Sequence, residues 1–461
     1  MSATAAPAPA ASSSATLARR LGPVDAAAIV VSNVIGGGIF FVPVIVSQLT
    51  PSAPAMLGVW VLGGLLAFAG AMAYAELAAL RPHAGGEYVY LREAYGPVAA
   101  FLTGWTSFVA GFSGAIAASS VALADYLGRF IPAAANREPF LTLPLPYLPL
   151  SVSPQAVVAI AAIVGLSLVH VHASGRLVHN LLAGLKVSAL LVFIALGFSF
   201  GSGDVANLSS TKAVQSGTGW LMALIPVMFS YSGWNAAAYV AEEIRDPGRN
   251  VPRALALGTL AVVVIYLLLN VLYFYAMPIG ELAGLQGGLT DTVAERLFGF
   301  VAGNLLAIFT IISIAASVSA MVWAGPRVYY AMARDGVFFA AATRVHPKHR
   351  TPVRAIVAQA IWSSVLVLSG TLSGLVSYTG FAVVLFSAVA VLAVFVLRRR
   401  EPGAERPYKA LGYPVAPAVF VLASLVMVVN EIWNSPGTAL AGLGVIAAGI
   451  PLYFVFKRRR A

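Results

Sequence analysis

Apolar positions along this chain neither alternate nor keep to one helical face. They run in long blocks, many of roughly 18 residues or more, separated by short stretches rich in Arg, Pro, Gly and Asn. Wound as a helix, such a block crosses about 30 Å of hydrocarbon. A membrane barrel would instead need short segments with a period of two. Twelve helical spans are expected, at about residues 24–49, 54–80, 97–126, 154–173, 179–202, 219–243, 252–278, 298–330, 353–371, 375–397, 414–433 and 437–456. The pattern predicts an all-α polytopic membrane protein whose partner is the lipid bilayer.

The connections divide by charge. One alternate set carries Arg19 and Arg20, Arg81 and Arg92, Arg176, Arg245, Arg249 and Arg253, Arg334 to Arg354, Arg398 to Lys409, and Lys457 to Arg460. The other carries only Arg129, Arg137, Lys212 and Arg296. The richer set is expected on the cytoplasmic side. Both termini fall in it, which requires an even number of crossings, and twelve meets that independent condition. Composition agrees, with 59% apolar and 10% charged residues in a chain of 461. The net charge of +11 is spread over short loops, so no nucleic-acid partner is expected. There is no Cys, which excludes a disulfide-linked subunit. Met1 to Thr16 is rich in Ala, Pro and Ser and lacks the layout of a signal peptide. Residues 1–20 are expected to form a disordered cytoplasmic tail, 21–456 the membrane domain, and 457–461 a second cytoplasmic tail.

Two spans carry interruptions. Span 1 contains Gly36-Gly37-Gly38, and span 6 contains Tyr231-Ser232-Gly233 just after Pro226. These positions correspond if spans 1–5 (24–202) and 6–10 (219–397) are repeats. Five is odd, so the second repeat would be inverted in the membrane. Paired broken helices in inverted repeats point to a binding site near the bilayer midplane. The glycine run also suits close helix packing.

Four motifs resemble the amino acid–polyamine–organocation superfamily, in particular bacterial relatives of the L-type amino-acid transporters. Asn33-Val34-Ile35-Gly36-Gly37-Gly38-Ile39-Phe40 is similar to the small-residue turn of the first span. Phe229-Ser230-Tyr231-Ser232-Gly233-Trp234-Asn235, with Glu242-Glu243, Asp246-Pro247 and Arg249-Asn250-Val251-Pro252, resembles the sixth span and the loop after it. Ala324-Gly325-Pro326-Arg327 through Arg334-Asp335-Gly336 resembles the end of span 8. Arg406-Pro407-Tyr408-Lys409 with Gly412-Tyr413-Pro414 resembles the loop before span 11. The resemblance runs from about residue 24 to 456. It implies a LeuT-type fold of five plus five inverted spans with helices 1 and 6 broken, and helices 11 and 12 (414–456) appended.

It also implies a site. A zwitterionic amino acid brings two charges into low dielectric, and both must be satisfied there. Unwound backbone supplies N–H groups for the carboxylate and carbonyls for the ammonium. By resemblance, the Gly37 and Gly38 amides hold the carboxylate and Gly36 shapes the turn. The carbonyls of Val34, Phe229 and Ser232 hold the ammonium, and Phe229 is an aromatic gate. Gly37 replaces a frequent Ser and Ser232 a frequent Gly, which bears on substrate preference. Asn235 either donates to the substrate or braces the unwound segment. Trp234 is expected to pack.

Lys186 lies inside span 5. A lysine within a span costs about 2.5–3.5 kcal/mol to insert and marks function unless it snorkels to the nearby interface. By resemblance, its ammonium stands where sodium binds in sodium-coupled relatives, linking spans 1 and 5. Glu242, Glu243, Asp246, Arg249 and Arg253 are expected to form structural or gating ion pairs. His170, His172 and His179 are expected as interfacial polar residues, with no metal. The chain shows no phosphate-binding loop of the Walker type and no nucleophile elbow, so neither ATP-driven transport nor an enzyme is expected, and no cofactor. The expectation is a secondary transporter in a bacterial plasma membrane. It would take neutral L-amino acids by sodium-independent exchange or proton-coupled uptake, because no charged side chain is evident at the inferred cavity wall. The alternatives are a cationic amino-acid or polyamine carrier and, more remotely, an ion channel.

Overall fold

The computed structural model describes residues 19–143, 150–172, 176–213, 219–285, 288–346, 351–370 and 372–458. Of the expected tail at 1–20, residues 1–18 lie outside the described residues, as do 459–461 at the other end. Helices make up nearly everything that is described. In chain order they begin with α1 (Pro23–Val34), α2 (Gly38–Leu49), α3 (Ala53–Leu80), α4 (Glu87–Tyr95), α5 (Pro97–Thr106) and α6 (Phe112–Leu127). A short hairpin of β1 (Leu141–Leu143) and β2 (Leu150–Val152) precedes α7 (Pro154–His172) and α8 (Arg176–Phe200). There follow α9 (Gly219–Tyr231), α10 (Ala236–Tyr239), α11 (Pro247–Ala276), α12 (Ile279–Ala283), α13 (Leu289–Phe298) and α14 (Phe300–Arg334). The last four are α15 (Val353–Ser369), α16 (Leu372–Arg400), α17 (Val415–Asn434) and α18 (Pro436–Arg458).

Among the described residues, 8 helices are long and apolar enough to cross a membrane, and the pair α1–α2 adds a ninth, bent by 43°. Shorter apolar helices at Gly184–Phe200, Gly219–Tyr231 and Val353–Ser369 fall at the remaining expected spans. The protein is therefore a polytopic all-α membrane protein. The longer helices satisfy their backbone internally, which is what hydrocarbon demands. Several start on Pro, as α1, α5, α7, α11 and α18 do, where the missing N–H is lost at no cost.

The two interrupted segments sit together in the interior. Helix α2 packs on α9, and α1 on α8, α10, α11 and α14. Helices α5 and α6 form one span with a π-helical turn at Ser107–Gly111 between them. Neighbours take up the carbonyls it displaces: Tyr329 Oη donates to Ser107 O (3.3 Å), Trp362 Nε1 to Val109 O (2.9 Å) and Thr379 Oγ1 to Ala110 O (3.3 Å). Such turns often mark functional walls.

Ion pairs close the two sets of connections separately. Arg81, Arg92, Arg334 and Arg398 pair with Glu93 and Glu401, Asp335, Glu242 and Glu76 respectively. Arg129, Arg137 and Arg296 pair with Asp291 and Glu295, Asp125, and Glu281. Of the mixed-charge segment, Glu242 and Glu243 do form ion pairs, the latter with Arg327, whereas Arg249 and Arg253 point outward. His170 departs from the interfacial expectation. It is buried in α7, with Nε2 2.7 Å from Ser319 Oγ of α14, a small polar partner that satisfies the ring away from water. The side chains of His172 and His179 lie outside the described residues.

Candidate substrate site

Local sequence explains why span 1 stops at Val34. The Gly36 amide donates to Val34 O (2.7 Å), two residues back, and Ile35 has φ −70° and ψ 83°, an inverse γ-turn. The helix resumes at Gly38. Between the two halves the N–H groups of Gly37 and Gly38 carry no hydrogen bond among the described residues, and they stand at the N-terminal end of α2. Side chains would not fit here. A Cβ on Gly36 would lie 2.4 Å from Ser317 Oγ, and one on Gly38 would lie 2.9 Å from Ser230 Cα.

Span 6 breaks opposite. Helix α9 ends at Tyr231, Ser232 N donates to Phe229 O (3.0 Å), and Ala236 N donates to Gly233 O (2.9 Å) as α10 begins. Gly233 has φ +98° and packs so closely on Asn33 that a Cβ would stand 3.1 Å from the Asn33 carbonyl carbon. One hydroxyl stitches the breaks together: Tyr266 Oη donates to Val34 O (2.7 Å), with Ser230 O at 3.2 Å. The Val34 carbonyl is thus engaged by both Gly36 and Tyr266, and the Phe229 carbonyl by Ser232. The Ser232 carbonyl has no partner among the described residues. The Phe229 ring is buried and faces Phe41, with centroids 6.4 Å apart, so an aromatic pair bridges the two broken spans. Trp234 packs edge-on against Tyr74 and Phe420.

Lys186 does not snorkel. It is 1% exposed, and its Nζ donates to Ser32 O (3.2 Å) and Ile35 O. The ammonium therefore joins α8 to the last turn of α1, at the mouth of the break. Its acceptors are carbonyls freed where the helix ends.

A small cavity opens beside the breaks. Asn33, Ser232, Gly233 and Asn235 line it from the broken spans, and Thr103, Thr106, Ser107, Gly111 and Phe112 from the span with the π turn. Gly36, Gly37, Gly38, Val34 and Phe229 are buried beside this space without lining it. Asn33 Oδ1, Thr103 Oγ1 and Thr106 Oγ1 are buried without a partner among the described residues.

One lining residue corrects the expectation of an uncharged wall. Glu87, the first residue of α4, reaches the cavity. Its Oε1 accepts from Tyr74 Oη, Asn235 Nδ2 (2.8 Å) and Tyr239 Oη (3.1 Å). Burial pushes the carboxyl above the usual carboxylate range, and the three donors offset that only in part. In this state Asn235 is a brace, holding Glu87 against the broken span. The signal for Glu87 is local: an acid directly after Gly85 (φ +115°) and Gly86 (φ +49°), two residues that turn the chain back into the bundle. Nothing in the sequence marks Tyr266, a tyrosine in an apolar span.

Beyond the site, the segment after span 6 holds the start of the chain. Arg20 N and Leu21 N both donate to Glu243 O (3.0 Å each), and Arg245 N donates to Leu21 O (2.9 Å). The Glu243 carboxylate is held by buried Arg327 at 2.9 Å.

The sequence model of a family described as "Amino acid permease" matches residues 21–456. The chain belongs to that family. Its relatives include the b(0,+)-type amino acid transporter 1 of Mus musculus, 28% identical over 445 residues, covering 96% of this chain and 88% of that protein. The serine/threonine exchanger SteT of Bacillus subtilis (strain 168) is 28% identical over 451 residues, covering 96% and 98%. The cystine/glutamate transporter of Homo sapiens is 29% identical over 447 residues, covering 95% and 85%. This permease is thus similar to amino-acid transporters over nearly its whole length, and the amino acid–polyamine–organocation resemblance seen in its motifs holds.

Proposed function

We propose that this permease carries neutral L-amino acids across the plasma (inner) membrane by alternating access, without sodium, either as an exchanger or coupled to protons. Both termini are assigned to the cytoplasm from the arginine-rich connections. The observation that carries the reading is Lys186, whose ammonium is fixed on the Ser32 and Ile35 carbonyls at the break of span 1. A fixed cation there supplies the charge that a bound sodium ion would otherwise supply, and couples span 5 to the moving half of span 1. The unpaired Gly37 and Gly38 amides suit a substrate carboxylate, with Gly36 forming the turn. The free Ser232 carbonyl, beside those of Val34 and Phe229, suits the ammonium. Phe229 with Phe41 closes the far side as a gate. Asn33 and Ser232, which belong to the two interrupted spans, line the cavity. The relative named as a serine/threonine exchanger supports this substrate class.

The test is uptake into proteoliposomes by wild type, Lys186→Ala and Lys186→Arg at matched expression, with and without a sodium gradient and across external pH. Wild-type uptake is expected to ignore sodium, Lys186→Ala to lose most transport, and Lys186→Arg to rescue poorly because a planar guanidinium is not a compact charge. Sodium-dependent wild-type uptake, or full activity of Lys186→Ala, overturns the mechanism. A flat pH profile removes the proton-coupled version and leaves exchange.

A further inference from the structure

The wall of the cavity carries one acidic side chain, Glu87, and no basic one. Three donors converge on Glu87 Oε1, while Oε2 has no partner among the described residues. No cation among the described residues acts on this carboxyl. Asn33, whose buried Oδ1 has no partner among the described residues, lines the same space. The other lining side chains are neutral, and Lys186 is committed to the span 1 carbonyls instead. Two rings on the same wall, Phe112 and Tyr239, meet edge-on at 5.2 Å. An acidic group taken out of water without a counter-ion is costly, and a ligand that brings the missing positive charge recovers that cost. Aromatic faces beside it add to the attraction.

The geometry points to Glu87 as the docking group for a side-chain ammonium or guanidinium, so that basic L-amino acids are substrates of this permease alongside neutral ones. The inference rests on the chain being an amino-acid carrier, as proposed above, and adds a substrate class and the residue that selects it. Asn235 and Tyr239 position the carboxylate from the broken span, and Tyr74 from α3. Neutral substrates bind through their α-groups alone and forgo this contact.

Paired competitors of similar shape and different charge test it. Uptake of one radiolabelled neutral amino acid into proteoliposomes is inhibited by L-arginine or L-citrulline, and by L-lysine or L-norleucine. On wild type, the charged member of each pair is expected to half-inhibit at a concentration at least about tenfold lower, the scale of one charge-assisted hydrogen bond. In Glu87→Gln that ratio is expected to fall to about one. The ratio is internal to each variant, so it does not depend on expression or maximal rate. Equal inhibition by arginine and citrulline on wild type, the result if a proton is the only cation Glu87 takes, overturns the inference. So does an unchanged ratio in Glu87→Gln. If Glu87→Gln shows no uptake, melting of purified wild type with arginine against citrulline decides: stronger stabilisation by arginine supports the site, and equal shifts overturn it. Failure of wild type to take up any neutral amino acid would sink the transport reading instead, and the melting comparison would still test Glu87.

Discussion

A single methyl group placed along Gly36-Gly37-Gly38 tests whether this segment needs its bare backbone. Carbon atoms in contact settle at about 3.5–4.0 Å. A Cβ on Gly38 would stand 2.9 Å from Ser230 Cα and 3.1 Å from its Cβ, so α2 and α9 would have to part by about half an ångström or more. Overpacking of this kind costs about 1–3 kcal/mol, or roughly five- to 150-fold in an equilibrium constant. Ser230→Gly removes the Oγ contact at 2.8 Å and the Cβ contact but leaves the main-chain Cα at 2.9 Å, so it relieves the clash only in part. A Cβ on Gly37 meets Cε1 at the edge of the Phe41 ring at 3.0 Å, with Ser119 Oγ at 3.4 Å and Cα at 3.5 Å, and a ring edge can yield. A Cβ on Gly36 meets chiefly Ser317, with Oγ at 2.4 Å and Cβ at 3.1 Å, which Ser317→Gly removes. Gly38→Ala is therefore expected to raise KM most, Gly37→Ala least, and Gly36→Ala to recover in part with Ser317→Gly. Gly38→Val should abolish binding while the protein still inserts. The assay is KM and maximal uptake in proteoliposomes, with the melting temperature of each purified variant to separate binding from folding. Wild-type KM for Gly38→Ala, or Gly37→Ala as damaging as Gly38→Ala, would refute the reasoning.

Tyr266→Phe removes the hydroxyl that joins the two breaks and is expected to cost about 1 kcal/mol, seen as a roughly fivefold higher KM with little change in expression. An unchanged KM would show that the bridge is incidental. Arg327→Ala leaves the Glu243 carboxylate without its partner in a site where the arginine is 1% and the glutamate 12% exposed. A loss of about 3–5 kcal/mol is expected, read as a melting temperature lower by several degrees and partly restored by adding Glu243→Gln. A melting temperature equal to wild type would count against the pair.

The spans were legible because a long apolar block needs no partner to declare itself. Lys186 was legible for the opposite reason, since a charge inside such a block demands an explanation, and the bonds to Ser32 and Ile35 supply it. The breaks were legible as Gly36-Gly37-Gly38 and as Ser232-Gly233 after Pro226. Glu87 was not. It lies in a connection, where acids ordinarily meet water, and its burial depends on tyrosines from α3 and α10 and on a turn made by Gly85 and Gly86. The π turn at Ser107–Gly111 was hidden too, because its stability comes from Tyr329, Trp362 and Thr379 on other spans. His170 was misplaced for the same reason: its partner Ser319 is 149 residues away.

The three main-chain bonds that tie Arg20 and Leu21 to Glu243 and Arg245 behave as a clasp. They lie side by side on neighbouring residues, so a tilt of α1 away from this segment cannot loosen one and spare the rest. The Glu243 carboxylate, anchored to Arg327, keeps one half of the clasp fixed. Opening at this end of the molecule is then a threshold event: the path shows few half-open states, and the barrier is set by how many of these bonds break at once. Shortening the chain to residue 22 would take away the moving half of the clasp and speed the motion, with no change to any atom that lines the cavity.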